Sequence, residues 1–315
     1  MRSNGQLASG LPYFLIFPVW PFKALGVRLA LDMHDPMPEL FASRFGHARG
    51  FLFGLLVLVE RWSVRVADAV FVVHQRHHDI LVERGIPPAK MTIVMNCADE
   101  RIFDPERHAL PVSSGDEFVI LYHGSVVERY GLDTLVRAAA RVAPDLPALR
   151  VHIVGSGDFE GPLRDLVATL GLEGVVHMES GVPHEQIPPR ILAADACVVP
   201  MRDDLFTNLI LPVKLLEAVA MCRPVVSSRT RNIERYFDDR ALYYFTPGDS
   251  DDLARSLRAI ATDPVARRCH ATEASWQARP YRWSEAQAEY LAAVAALADP
   301  GHRRRRASVA AQKDS

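Results

Sequence analysis

Several features that would assign this chain to a specialised class of protein are scarce or missing. Its four cysteines, Cys97, Cys197, Cys222 and Cys269, are far apart and form no CxxC pair. This argues against a disulfide framework or a structural zinc site and favours a reducing cytoplasm. The formal net charge is −2, so no basic excess indicates nucleic-acid binding. The apolar run Phe51–Val59 is far shorter than the ~20 residues needed to cross a bilayer, and we interpret it as the start of a buried helix.

The short motifs of several common enzyme classes are absent as well. The chain contains no GxxxxGK, GxSxG or HExxH sequence. Gly155–Gly161 approaches a dinucleotide-binding fingerprint, but its third glycine is one position late, so it predicts a simple strand-to-helix turn. His74, His77 and His78 have no carboxylate or thiol partners in the sequence pattern, and we interpret them as a surface cluster at a helix start. The sequence therefore predicts neither a dinucleotide cofactor nor a bound metal.

What the second half of the chain does contain is a regular alternation of short β-branched runs with amphipathic helical stretches. This alternation is typical of a parallel sheet covered by helices on both faces, so it predicts one doubly wound α/β domain. Strands are predicted at Phe118–Tyr122, Arg150–Val154, Val175–Met178, Ala196–Val199, Pro224–Ser227 and Ala241–Phe245, and helices at Gly131–Arg141, Gly161–Leu170, His184–Ala194, Val213–Met221, Arg231–Tyr236 and Ser250–Ala261.

The first 110 residues repeat this logic less completely, and they predict a partial domain at residues 1–110. A turn-rich link, Asn96–Asp116, leads into a second domain at residues 111–280. Three strands are few for helices so apolar, so the front of the first domain is expected to be absent from this chain. Its strands are predicted at Arg28–Asp32, Ala69–Val73 and Met91–Met95, and its helices at Tyr13–Leu25, Phe51–Val66 and Gln75–Arg84.

The carboxyl-terminal segments are a closing helix at residues 281–298 and a basic tail at residues 299–315. The tail contains Arg303–Arg306 among Ala, Ser and Gln residues, a composition that predicts disorder. Such a run is a candidate for peripheral contact with an anionic membrane surface. The alternative, a solubilising terminus, is the interpretation we favour.

The most informative segment places Lys214 and Glu217 three residues apart at the opening of an otherwise apolar helix. A helix N-terminus has unpaired N–H donors and the positive end of the helix dipole, so a lysine there suits a phosphate. Glu217, one turn further on, can accept hydrogen bonds from the hydroxyls of a ribose. Phosphate together with a diol indicates a nucleotide. The alternative is that both residues belong to a solvated helix face.

Two other strand ends carry candidate binding residues. After the first strand of the second domain, Gly124 allows close backbone approach and Arg129 offers a forked guanidinium to a phosphate. In the first domain, His34 follows a strand and can hydrogen-bond a polar substrate. The alternatives are a plain surface loop around Gly124 and a His34 ring that only satisfies loop carbonyl groups.

Together these segments resemble glycosyltransferase family 4, a retaining, nucleotide-sugar-dependent group. The resemblance extends from about Leu11 to Leu297 and is strongest in Leu31–Glu39, Tyr122–Asp133 and Phe206–Glu217. It implies the α/β GT-B fold, in which two Rossmann-like, doubly wound domains face a cleft, with the N-terminal domain incomplete here.

The resemblance also implies residue roles. Glu217 corresponds to the residue that binds the donor ribose, while Lys214 and the amides around Leu211 and Pro212 correspond to positions near the diphosphate or sugar. Gly124 and Ser125 stand where Gly-Arg is usual, and Tyr130 replaces a lysine, so Arg129 is expected to supply the phosphate charge. His34 matches a histidine placed near the transferred sugar. Two further departures are Leu209, where a first glutamate is usual, and Cys222, where glycine is common.

The expected function is therefore transfer of a sugar, with retention, from a nucleoside diphosphate sugar to a glycan or lipid-linked acceptor in bacterial polysaccharide biosynthesis. This chemistry needs no metal ion and places the protein in the cytoplasm. Two alternatives stay open. One is a truncated, non-catalytic protein that binds a nucleotide sugar or acts as a scaffold, and the other is a nucleotide-sugar epimerase of the same architecture.

Overall fold

A computed structural model describes residues 13–45, 50–108 and 117–298. The predicted basic tail at 299–315 and the part of the predicted link at 109–116 lie outside the described residues. The chain divides into two compact units. One contains the residues up to Asn96 together with those from Ser284 onward, and the other contains Cys97–Trp283.

The described residues of the first unit form a three-stranded parallel sheet with strand order β1-β2-β3. Its core is built from one face of the sheet and the helices that pack on it, with Met33, Val64, Val70, Val72 and Leu81 fully buried. The strands are β1 (Ala30–Met33), β2 (Ala69–Val72) and β3 (Met91–Ile93), and the helices are α1 (Ile16–Val19), α2 (Met37–Phe45), α3 (Phe51–Val66) and α4 (Gln75–Glu83).

Prolines shape the amino-terminal helical segment and α2. The single helix predicted at Tyr13–Leu25 is divided into a 3-10 turn, the short α1 and a second 3-10 segment, because Pro18 and Pro21 lack the N–H that an α-helix interior requires. Pro38 is the second residue of α2, a position in the first turn where a missing N–H costs nothing.

Helix α3 has the predicted bounds, but the prediction that its apolar start is buried is wrong. Phe51 is 89% exposed, and Leu52, Leu55 and Leu58 are each more than 40% exposed. The buried residues of α3 are Glu60, Ser63 and Val64, all in its second half. The helix therefore packs on the unit through its carboxyl-terminal turns. Of the residues described, no helix has the length and apolar character to cross a bilayer.

A charged network is buried beneath α3. The guanidinium of Arg84 forms ion pairs with both Glu39 and Glu60, and the Glu60 side chain has no exposed surface. Burial raises the pKa of Glu60 to about 7, although the charge of Arg84 acts in the opposite direction. Nearby, His74 caps α4 by accepting a hydrogen bond from the backbone N–H of His77 at 3.0 Å.

These histidines correct another expectation from the sequence. They do lie at a helix start, but His74 and His77 are 2% and 0% exposed, so they are not a surface cluster. Burial lowers the pKa of His77 to about 3, which leaves its ring neutral. No metal-binding group of three or more His, Cys, Asp or Glu side chains occurs among the described residues.

The described residues of the second unit form a six-stranded parallel sheet with strand order β6-β5-β4-β7-β8-β9. This is the Rossmann order, in which the chain reverses direction across the sheet between β4 and β7. The strands are β4 (Phe118–His123), β5 (Leu149–Val154), β6 (Val176–Glu179), β7 (Ala196–Val199), β8 (Val225–Ser228) and β9 (Tyr243–Phe245).

Helices cover both faces of this sheet, and short polar caps explain where several of them begin. Asp249 caps α10 (Ser250–Thr262) and Asp263 caps α11 (Pro264–Ala278), each by accepting hydrogen bonds from two backbone N–H groups. The sequence analysis missed α11, which starts at the signal Asp263-Pro264. The helices are α5 (Leu132–Val142), α6 (Glu160–Thr169), α7 (Ile187–Ala193), α8 (Val213–Ala220), α9 (Arg231–Glu234), α10 (Ser250–Thr262) and α11 (Pro264–Ala278), and the chain continues into α12 (Trp283–Ala298).

Candidate functional site

The switch point of the second sheet brings two loops together. β4 ends at His123 and β7 ends at Val199, and these strands are neighbours. The loop after β4 and the loop after β7 therefore leave the same carboxyl edge side by side, which is where open α/β sheets bind ligands. The candidate residues Gly124, Ser125 and Arg129 lie on the first loop, and the second loop leads into α8.

Helix α8 begins at this edge without a capping side chain. Pro212 occupies the position before the helix with an extended backbone, and its side chain, like that of Leu211, is buried. Pro212 has no N–H and cannot be a hydrogen-bond donor itself. The N–H groups of Val213 and Lys214 open the helix and lack intrahelical partners. The start of α8 can therefore bind an anion through those two amides.

Lys214 reaches from this helix start to the β4 loop. Its ammonium donates a hydrogen bond to the Tyr122 hydroxyl at 2.6 Å, and that hydroxyl donates to the Ser125 carbonyl oxygen at 2.6 Å. The same Nζ lies 4.0 Å from the ring centroid of Tyr122 and 4.5 Å from that of Tyr130, within the range of cation–π attraction. Two aromatic rings thus hold Lys214 in one position.

This environment also changes the acidity of the lysine. Burial lowers the pKa of Lys214 to about 7, and the negative charge of Glu217 opposes the shift only in part. The charged form of an ammonium is disfavoured when water is replaced by aromatic and aliphatic groups. An anionic ligand at the helix start would restore the proton by supplying the missing opposite charge.

Gly124 leaves room for this lysine, and two other glycines support the loop. A Cβ on Gly124, whose φ is +116°, would lie 2.9 Å from Lys214 Nζ. A Cβ on Gly155 would lie 1.8 Å from the Gly124 carbonyl oxygen, and one on Gly157 would lie 2.1 Å from the Val126 carbonyl oxygen. Since no side chain fits at such distances, the glycines after β5 allow that turn to pack directly on the β4 loop. Gly155–Gly161 is thus a strand-to-helix turn, as predicted.

Arg129 lies on the same edge with its charge available. Its guanidinium is 5.7 Å from the Phe206 ring centroid, and its Nε is buried without a hydrogen-bond partner. Among the described residues, no carboxylate forms an ion pair with Arg129, whereas the neighbouring Arg202 is paired with Asp133 at 2.8 Å. The uncompensated charge of Arg129 suits an anionic ligand.

Glu217 follows one turn into α8, and its carboxylate lies between two histidines. His123 Nε2 is 2.7 Å from Oε2, and His184 Nε2 is 2.8 Å from Oε1. Burial alone would raise the pKa of Glu217, but these hydrogen bonds and the histidine charges outweigh it, so the pKa lies below its ordinary value. The carboxylate is thus kept ionised and remains a hydrogen-bond acceptor.

The structure also accounts for the two departures at Leu209 and Cys222. Leu209 is only 9% exposed, so the position of the usual first glutamate carries a packing residue. Cys222, just past the end of α8, has a φ of +54°. This left-handed conformation is the usual reason for glycine after a helix.

His34 belongs to the first unit, just after β1. Its Nε2 is 3.2 Å from the Asp32 carboxylate. That hydrogen bond raises the pKa of His34 above its ordinary value, and partial burial opposes the shift. The ring is therefore oriented by Asp32 rather than only by loop carbonyl groups.

In the second unit, the structure brings together the predicted residues Gly124, Ser125, Arg129, Lys214 and Glu217 at one sheet edge. Sequence reasoning gave no role to Tyr122, His123 or His184, which contact Lys214 and Glu217. The available signal was that Tyr122 and His123 close a strand immediately before a glycine. No local pattern connects His184 to Glu217, because they are 33 residues apart.

Comparisons with known proteins agree with this architecture. The sequence model of the family described as "Glycosyl transferases group 1" matches residues 117–263, and that of "Glycosyl transferase 4-like domain" matches residues 7–97. The D-inositol 3-phosphate glycosyltransferase of Streptosporangium roseum is 30% identical over 261 residues, which are 76% of this chain and 59% of that protein. The MMP alpha-(1->4)-mannosyltransferase of Mycolicibacterium hassiacum is 23% identical over 76% of this chain and 58% of that protein. The chain thus spans less than two thirds of the length of these relatives.

Solved structures show the same fold at low sequence identity. Anabaena HepE in complex with UDP matches with a TM-score of 0.72 and 16% identity, covering 90% of this chain and 76% of that one. Sucrose-phosphate synthase from Thermosynechococcus elongatus matches with a TM-score of 0.71 and 20% identity, covering 91% of this chain and 73% of that one. Parallel sheets and these neighbours define a two-domain α/β protein with the GT-B fold, as predicted. The chain belongs to the family 4 glycosyltransferases.

Proposed function

We propose that this protein is a retaining hexosyltransferase. It takes a sugar from a nucleoside diphosphate sugar and transfers it to a glycan or lipid-linked acceptor in bacterial polysaccharide biosynthesis. Family membership supports sugar transfer, and the names of related proteins include glycosyltransferases and a mannosyltransferase. The HepE structures contain UDP or UDP-glucose, which supports a nucleoside diphosphate sugar as donor.

The observation that carries this proposal is the ammonium of Lys214 beside the uncapped start of α8 and next to Gly124. An ammonium, two free N–H groups and the positive end of a helix dipole converge where a side chain is excluded. A diphosphate matches this set of donors in charge and size.

The other residues have roles around that diphosphate. Arg129 supplies a second cation, the backbone of Gly124 and Ser125 approaches the ligand closely, and Glu217 accepts hydrogen bonds from the ribose. Leu211 and Pro212 set the start of α8. His34 orients a hydroxyl of the transferred sugar.

Transfer breaks the bond between the sugar and the diphosphate, so negative charge grows on the leaving group. Lys214, Arg129 and the start of α8 stabilise that charge without reorganisation. Protein cations thereby do the work that a metal ion does elsewhere, and activity is expected to survive removal of divalent ions with EDTA. Retention is tested by the anomeric configuration of the first product, measured by NMR.

Isothermal titration with UDP, GDP and their sugars tests the donor site. Lys214→Ala and Arg129→Ala each remove a charge-assisted contact, so affinity is expected to fall roughly tenfold or more. Arg164→Ala, at an exposed position on α6, is the matched control and is expected to bind normally. Absence of binding by the wild-type protein, or undiminished binding by Lys214→Ala, contradicts the proposal.

Product analysis separates transfer from the alternatives. A non-catalytic binding protein binds the donor but forms no glycoside, and an epimerase releases a different free sugar without an acceptor. We also propose a cytoplasmic location, in which the basic tail acts as a solubilising terminus, with peripheral contact of that tail with the inner face of the membrane as the alternative. Co-sedimentation with anionic vesicles, with and without residues 299–315, tests that contact.

A further inference from the structure

The two histidines that contact Glu217 differ in their surroundings. The His123 side chain is 7% exposed, as is that of Glu217, whereas the His184 side chain is 50% exposed. His123 ends the central strand β4, while His184 lies in the 3-10 turn before α7. One histidine is thus part of the core, and the other covers the carboxylate from the solvent side.

The direction of both hydrogen bonds follows from chemistry. An ionised carboxylate only accepts, so each ring must donate through its Nε2–H. The lowered pKa of Glu217 agrees with that charge state. Oε2 is therefore engaged inside the unit by His123, and Oε1 is the oxygen on the His184 side.

The His184 ring also contacts an aromatic side chain. Its centroid lies 4.9 Å from that of Phe103, which is 2% exposed. An imidazole that is half exposed at the surface can change rotamer at low cost, since surface side chains exchange rotamers rapidly. His123 cannot do so without opening the core.

We propose that His123 and His184 are positioning residues with opposite effects on ribose binding. His123 permanently orients the Glu217 carboxylate, while His184 occupies Oε1 until a ribose hydroxyl replaces it. This inference rests on the proposed function, specifically on Glu217 as the ribose acceptor. It adds that, before the ribose binds, a histidine that competes with it covers the carboxylate.

The competition has a physical basis. A ribose hydroxyl that donates to Oε1 exchanges one hydrogen bond to the carboxylate for another, so part of its contribution is offset by the lost His184 contact. Removal of His184 leaves Oε1 to water, which exchanges more easily. Removal of His123 frees the carboxylate to rotate away from the productive geometry.

The experiment compares UDP with 2′,3′-dideoxy-UDP, and GDP with its dideoxy counterpart, by isothermal titration. The ratio of the two dissociation constants isolates the ribose hydroxyls, because diphosphate and base are the same in each pair. In the wild-type protein the ribonucleotide is expected to bind at least about tenfold more tightly, as for a hydrogen bond to a charged group.

Opposite changes are expected in the two variants. His123→Ala should reduce the ratio to below about threefold with little change for the dideoxy ligand, and His123→Gln, whose amide can still donate, should restore part of it. His184→Ala should increase the ratio severalfold. His177→Ala removes an exposed histidine on β6 of the same sheet and should leave the ratio unchanged. Thermal melting shows whether each variant folds. If His123→Ala does not fold, the ratio of dissociation constants in His123→Gln tests the role of His123.

Two results would overturn the inference. The first is a wild-type ratio near one despite nucleotide binding. That result would show that the donor site binds nucleotides but that Glu217 does not bind the ribose hydroxyls. The second is a reduced ratio in His184→Ala, which makes His184 part of the ribose site rather than its competitor. Failure of the proposed function looks different, because then neither UDP nor GDP binds at all.

Discussion

The ammonium of Lys214 donates a hydrogen bond to the hydroxyl of Tyr122 and also lies 4.0 Å from the centroid of its ring. The lysine stands at the start of α8 and the tyrosine near the end of β4, 92 residues apart in the chain. A single aromatic side chain thus stabilises a cation at the switch point of the sheet. Burial of the ammonium at this position lowers the pKa of Lys214 to about 7.

Nucleotide affinity is expected to depend on pH through this lysine. Below pH 7 the free protein already carries the charge, whereas above it a proton must be taken up on binding, so affinity should fall as pH rises from 7 to 9. The phosphate groups are mostly ionised throughout that range, since their last pKa is about 6. Titration calorimetry of UDP in buffers with different ionisation enthalpies measures the proton uptake directly.

Lys214→Arg is the control for this prediction, because a guanidinium stays charged throughout the range. The affinity of this variant for UDP should not change between pH 7 and 9, whatever its absolute value. A flat profile in the wild-type protein would show that the lysine is fully charged without ligand.

Two glycines near the site are expected to respond differently to alanine. Gly155→Ala places a Cβ 1.8 Å from the Gly124 carbonyl oxygen, so the β4 loop must move. We expect a loss of about 1–3 kcal/mol in the free energy of unfolding, as for other overpacked sites, and weaker nucleotide binding. Gly161→Ala, in the first turn of α6, places its Cβ in open space and should leave binding unchanged and stability equal or slightly higher. Urea unfolding and titration calorimetry of both variants check this pair.

Replacement by glycine at two exposed cysteines is expected to change the free energy of unfolding in opposite directions. Cys222→Gly relieves a non-glycine residue at φ +54° and should raise the free energy of unfolding by about 1 kcal/mol. Cys269→Gly lies inside α11, where glycine lowers helix stability by a few tenths of a kcal/mol. Differential scanning calorimetry measures both. A lower melting temperature in Cys222→Gly would show that the hydrogen bond from the Ser275 hydroxyl to the Cys222 sulfur, at 3.7 Å, stabilises the protein more than the relieved backbone does.

The buried network in the first unit makes Arg84 a large contributor to stability. Arg84→Met leaves Glu39 and Glu60 without their counter-charge, and breaking a buried pair in this way costs about 3–5 kcal/mol. Arg76→Met removes a partly exposed pair with Glu83 on the same helix, which should cost less than about 1 kcal/mol. Chemical unfolding of the full chain compares them, and equal effects would mean that the buried pair contributes no more than a surface pair.

The fold and much of the candidate site were predictable from local sequence. Six β-branched runs between amphipathic helices predicted the strands of the second sheet to within two residues. Short runs rich in β-branched residues are typical of strands that are buried on both faces of a sheet. Lys214 and Glu217 were recognisable because an apolar helix has few reasons to carry charges at its start. The rest was not readable in this way. The exposed start of α3 consists of the same residue types as a core helix, and α11 follows its neighbour after a single capping residue.

What the amino-acid sequence determined by itself is the class of fold, the family and the chemical character of the candidate binding edge, because these depend on local patterns of residue type along the chain. Only the tertiary structure decided which side chains surround Lys214 and Glu217. Tyr122, His123 and His184 reach them across gaps of 92, 94 and 33 residues. Such contacts arise from the order of strands in the sheet, and strand order is a property of packing that no local pattern records.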